Sequence, residues 1–161
     1  MSVKGYDKLL TEVDKMLDNA RVMVPAMNAV LAAQKKRIFQ DGKDSKGGQI
    51  GKYSTEPTSI SKSRQSRNTG RTFFPGGYRQ YKSLTGKGSS KVNLRDSDQM
   101  MMDLGTFRLS KSEYAIGFSN EFNHDKMRWN EQHFGKKISD TTDREDNLLV
   151  KVIDFELKRI E

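Results

Sequence analysis

The sequence predicts an α+β protein, and three observations carry that reading. An apolar stripe at helical spacing occupies the N-terminal quarter, two short strand-like runs lie between residues 101 and 119, and an amphipathic stretch with acids at its start closes the chain. At 161 residues the chain suits a single domain, 1–161.

The N-terminal stripe comprises Leu9/Leu10, Val13, Met16/Leu17, Ala20, Met23/Val24, Met27, Val30/Leu31 and Ile38, recurring at three- and four-residue steps. Pro25 interrupts it by removing a hydrogen bond and crowding the preceding turn. The expectation is a kinked helix or a helix pair, roughly 5–23 and 26–40. Lys35, Lys36 and Arg37 suit the negative end of the second, and Gly42 offers a stop. The stripe can pack on the protein's own sheet or on a second copy as a coiled coil, and its own sheet is the preferred partner.

From Gln34 to Arg95 there are 15 Lys and Arg against three acids, Asp41, Asp44 and Glu56, a local net of +12 within an overall +8. Residues 40–95 hold nine of the 13 glycines and only seven Leu, Ile, Val or Phe. The expectation there is an extended basic loop with room for a hairpin, unable to make a core alone and ordered only by neighbouring subunits.

Beyond Arg95, Met101–Ser110 and Glu113–Ser119 read as two antiparallel strands joined at Lys111-Ser112. Tyr114, Ile116 and Phe118 fall on one face, and Ala115, Gly117 and Ser119 on the other, whose small side chains suit close packing by a helix. Phe122–Phe134 reads as a helix with Phe122, Met127, Trp129 and Phe134 inward, closed by Gly135. The last helix has Thr141/Thr142 to cap it and Asp143, Glu145 and Asp146 in its first turn. Its stripe is Leu148/Leu149, Val152/Ile153, Phe155 and Ile160, ending at Lys158 and Arg159, and the helix is expected to pack on the sheet.

Several functions are disfavoured. With no cysteine there is no disulfide, thiol nucleophile or thiolate metal site, which fits a cytosolic origin. No apolar run reaches the roughly 18 residues of a membrane span, and MSVKGYDKLL has no signal-peptide core, so the expectation is a soluble, unexported chain without membrane partners. His124, Asp125 and His133 are the one imaginable acid–base or metal set. Nine residues on a helix is roughly two and a half turns, which points the imidazoles apart. The preferred reading is a surface His124 and a structural His133, no enzyme, and no cofactor or metal. The basic stretch offers more: Lys62, Arg64, Arg67, Arg71, Arg79, Lys82, Lys87 and Lys91 as DNA- or partner-facing cations. Tyr53, Phe73, Phe74, Tyr78 and Tyr81 are interleaved with them as stacking or inter-subunit aromatics.

The order of features also resembles a family. Lys36-Arg37-Ile38-Phe39-Gln40-Asp41-Gly42, then Asp44-Ser45-Lys46-Gly47-Gly48 and Tyr53-Ser54, is similar to the helix-to-loop passage of tailed-bacteriophage tail-completion and virion-morphogenesis proteins. Tyr81–Gly86 and Leu94–Met100 resemble that family's approach to its first strand, and Tyr114–Phe118 its second strand. Asn130–Gly135 resembles its "hxxG" segment, so the likeness runs roughly from Ala20 to Ile160. Tyr53 stands where the family often has Trp, and Asp98 where Gly is common. The resemblance implies a non-enzymatic virion subunit at the head–tail junction, assembled in the host cytoplasm. It would form a sixfold or twelvefold ring of itself, joining portal and connector proteins to the tail tube, with non-specific contact to packaged DNA open to it. From the residues alone, a nucleic-acid-binding module using 34–95 is the alternative.

Overall fold

The computed structural model describes residues 20–61, 70–111 and 113–159. The first part of the N-terminal stripe, the cations Lys62, Arg64 and Arg67, and Ile160 lie outside the described residues. The fold is mixed α+β, with five helices and two small antiparallel two-stranded sheets among the described residues. In chain order, α1 is Ala20–Lys35, running into a π-helical turn at Lys36–Gln40. β1 is Thr58–Ser61, β2 Arg71–Phe74 and α2 Gly77–Leu84. α3 is Gln99–Asp103, β3 Leu104–Arg108, β4 Tyr114–Phe118, α4 Glu121–Phe134 and α5 Asp143–Lys158.

Helix α1 packs along α5 and across β3 and β4, so the stripe meets its own sheet and a helix of its own chain. Pro25 lies inside α1, not between two helices. The interruption costs about 3 kcal/mol. Burial of Val22, Ala26, Met27 and Val30 around it recovers more, since each large apolar side chain contributes about 1.5–3 kcal/mol. The π turn then places Arg37, Ile38 and Phe39 all out of water. Ile38 and Phe39 enter the main core with Ile50, Val92, Met100, Leu104, Met127 and Ile138.

Arg37 takes a different path. Its Nε donates to Glu145 Oε1 at 2.8 Å, and its terminal nitrogens donate to the carbonyls of Lys43, Ile138 and Asp140. Glu145 is also the third residue of α5 and completes a capping box with Thr142, the cap read from the sequence. One buried guanidinium thereby joins α1, the 43 loop, the 138–140 loop and α5. Nearby, Glu131 of α4 accepts from the Ile138 and Ser139 amides at 2.7 and 2.9 Å, fixing the same connection from its other side.

Three expectations need correction. The run beginning at Met101 is not strand from its start: 99–103 is helical and the strand begins at Leu104. Gln-Met-Met-Met-Asp is helix-favouring, and the buried Met100 and Leu104 stand four apart, a helical rather than a strand period. At Gly117 the small face of β4 has no helix packed closely on it among the described residues, since a Cβ added there would meet nothing nearer than the Phe107 ring, 3.9 Å away. Packing is instead on the opposite face, where Ile116 and Phe118 lean on the core. Nor does the basic middle depend wholly on neighbouring subunits for its order. Ile50 and Val92 are fully buried in the main cluster, with Tyr53 and Leu94 packed against it. Within it, β1 pairs with β2 in register Thr58↔Phe74 to Ser61↔Arg71, and α2 packs on that hairpin.

Candidate binding cleft

Between α2 and α4 lies a cleft of about 570 Å³. One wall comes from the basic middle. Tyr78 and Lys82, four apart on α2, share a helix face with Tyr81 beside them. Tyr53 packs on Tyr78 at 5.4 Å between ring centroids, Tyr78 on Tyr81 at 5.4 Å, and Tyr81 on Phe74 at 5.5 Å. The Tyr53 hydroxyl donates to Asn93 Oδ1 and accepts from the Asn93 amide, which ties this wall to the core at Val92. Helix α2 can begin where it does because residue 77 is glycine. Its φ is +67°, and a Cβ there would sit 2.5 Å from the Glu56 carbonyl and 2.6 Å from that of Ser54.

The other wall is α4. Trp129 stacks on His133, one turn later, at 4.9 Å and 10° between planes, and Phe134 meets His133 edge-on. The rim is charged. Asp98 accepts from Arg95 at 2.8 and 3.1 Å and from Lys87 at 3.3 Å, and Asp96 accepts from the Tyr81 hydroxyl at 3.0 Å. The Arg95 hydrogen bond, aided by Lys87, holds the Asp98 carboxyl down to about 2. Asp98 adopts the left-handed conformation, φ +61°.

Lys82 is the surprise. Read as a surface cation, it is 1% exposed, at the wall of the cleft beside Tyr53 and Tyr78. Its ammonium sits 5.4 and 5.8 Å from those two ring centroids. Removal from water pushes its pKa below the usual lysine range, with the Asp96 charge opposing. Burial likewise raises Tyr78, so its hydroxyl stays protonated.

Of the other sequence candidates, Arg71 and Arg79 are exposed, Lys91 is half-buried, and Lys87 is occupied by Asp98. Phe73 is exposed, whereas Tyr53, Phe74, Tyr78 and Tyr81 pack on one another. On α4, Met127 is buried and Phe134 leans on the core, as expected. Phe122 and Trp129 are 61% and 60% exposed, contrary to the inward reading. Phe122 carries the Lys126 ammonium over its ring at 4.3 Å, and Trp129 borders the cleft. Period alone brings Trp129 near the inward stripe. The i,i+4 pairing with His133 and the Gly135 stop were the available signs that this end of α4 presents a ring stack.

His124 and its neighbour Asp125 are both exposed, with 3.9 Å between them. Among the described residues no group of three or more His, Asp or Glu converges as a metal site, and no helix is long and apolar enough to cross a membrane. Comparison with protein-family models, with curated proteins and with solved structures finds no match to this chain.

Proposed function

We propose that the chain is a structural subunit of a virus particle, working as an oligomeric ring at the head–tail junction of a tailed phage between the portal complex and the tail. The observation that carries the assembly part of this reading is its surface. Phe73, Leu84, Met102, Leu109, Phe122, Trp129, Val150 and Phe155 are each at least 60% exposed. They are spread over both sheet regions and over α2, α3, α4 and α5, so apolar surface is offered in several directions. A ring subunit needs a patch for each neighbour and others for the structures above and below. Among the described residues both sheets are two-stranded, so each strand has one edge with no strand beside it there, an edge that pairing with another chain can use. The placement at the head–tail junction rests on the resemblance in the order of motifs from Ala20 to Ile160.

The nucleic-acid alternative loses part of its basis, because Lys82 is buried, Lys87 is paired, and four of the five aromatics are engaged within the fold. Co-sedimentation with purified portal particles, run beside a DNA-binding salt titration, tests the choice. The expected result is saturable assembly on the particles with weak DNA binding. Tight DNA binding with a steep log–log salt slope and no particle binding would overturn it.

A further inference from the structure

We propose that the cleft between α2 and α4 is a binding site for a monocarboxylate carried on a flat or branched apolar group, with Lys82 as the residue that binds the carboxylate. The proposal goes beyond the ring reading and does not rest on it.

Lys82 is the decisive residue. It is 1% exposed, lines the cleft, and among the described residues its ammonium makes no hydrogen bond or ion pair, only the two ring contacts. An ammonium has three donors, and none of those of Lys82 is used by the described residues, so the cleft is where an acceptor can meet them. The Tyr78 hydroxyl, likewise without a hydrogen-bond partner among the described residues, is a second donor on the same wall. Of the two carboxylates near Lys82, only Asp98 is paired with cations among the described residues, and Asp96 keeps its negative charge. Asp98 is held by Arg95 and Lys87, and Asp96 takes the Tyr81 hydroxyl.

One ammonium without a hydrogen bond, with the Asp96 charge close by, suits a single negative charge. A phosphate dianion would bring a second charge towards Asp96 and Asp98 on the rim, which disfavours it. Apolar and aromatic side chains, Val92, Leu94, Trp129 and Phe134 with Tyr53 and Tyr78, line part of the cleft, and charged and polar groups that include Lys52 and Lys126 line the remainder. Its volume of about 570 Å³ is in the range of small-ligand sites. The carboxylate can belong to a free small molecule or to an acidic side chain, flanked by apolar residues, on a neighbouring copy.

The chain has a single tryptophan, and it borders the cleft, so its fluorescence reports occupancy directly. Titration with 3-phenylpropionate is expected to give a saturable change. The uncharged 3-phenylpropionamide should bind at least about tenfold more weakly, since a hydrogen bond to a charged group is worth about 1.5–3 kcal/mol. Lys82→Met should abolish that preference. Affinity for the acid should fall as rising pH discharges Lys82, beginning below the ordinary lysine range because its pKa is lowered. Equal binding of acid and amide by the unaltered protein, or no saturable response to either, would overturn the proposal whatever the variant does. Loss of acid binding on self-assembly assigns the carboxylate to a neighbouring copy, and unchanged binding assigns it to a free ligand.

Discussion

Replacing Arg37 by alanine should be among the most destabilising single changes available to this protein. The guanidinium is 8% exposed and bonded to Glu145, itself 3% exposed, and to three backbone carbonyls. Removing one member of a buried ion pair costs about 3–5 kcal/mol, mainly because the other charge stays behind without compensation. The carbonyls of Ile138 and Asp140 each lose a donor as well, worth about 1 kcal/mol apiece before water fills the space. A total near ~5 kcal/mol would consume much of the ~5–15 kcal/mol that holds a typical domain together. Glu145→Ala should cost nearly as much, because it also breaks the capping box at Thr142. The double variant should be milder than the sum by about 2–3 kcal/mol, since neither charge is then stranded. Urea unfolding of the four proteins, followed by far-ultraviolet circular dichroism, measures this directly. A loss below ~1 kcal/mol for Arg37→Ala, or single effects that add within ~0.5 kcal/mol, would refute the reasoning.

Two further outcomes are expected. Gly77→Ala should destabilise by more than about 3 kcal/mol, because a left-handed alanine there also collides with two carbonyls. Gly47→Ala, at φ +79° with nothing within 4 Å, should cost only about 1 kcal/mol, and equal losses in thermal melts would contradict this. Asp98 has a folded pKa of about 2, below its ordinary 3.8, so its contribution is present above pH ~4 and lost as pH falls towards ~2. With both basic partners about a third exposed, that contribution is ~1 kcal/mol after allowance for solvent screening. Asp98→Asn, which keeps a residue tolerant of the left-handed backbone, should flatten that part of the stability–pH curve, and an unchanged slope would count against the ion pair.

What could be read in the residues follows from the range over which each cause acts. Thr142 and Glu145 cap α5 through contacts three residues apart, and Gly135 ends α4 in the left-handed conformation that glycine favours, so both were legible. The Tyr114–Phe118 strand was legible from its alternation. The π turn was not, because Arg37 is buried by partners about a hundred residues away, and no local pattern marks a lysine-rich helix end as interior. Ile50 and Val92 were lost for a related reason. Each is a solitary apolar residue in polar surroundings, without a period to announce it, yet each is fully buried in the core. Lys82 is the sharpest case. Composition counts it with the surface charges, whereas the fold buries it beside Tyr53 and Tyr78, and no local pattern links it to Tyr53.

Helix α2 and the β1–β2 hairpin pack chiefly on each other, and little of them rests on the remaining helices and strands. Such a unit opens by itself more readily than the whole domain unfolds. Amide protons of β1, β2 and α2 should therefore exchange through a smaller fluctuation than those of α1 and α5. Tyr78 and Lys82 travel with α2, whereas Trp129 and His133 stay with α4, so every such opening pulls the cleft apart. Anything lodged between Lys82 and Trp129 holds that unit shut by its own binding free energy. Occupancy of the cleft and closure of the basic middle onto the body are one equilibrium.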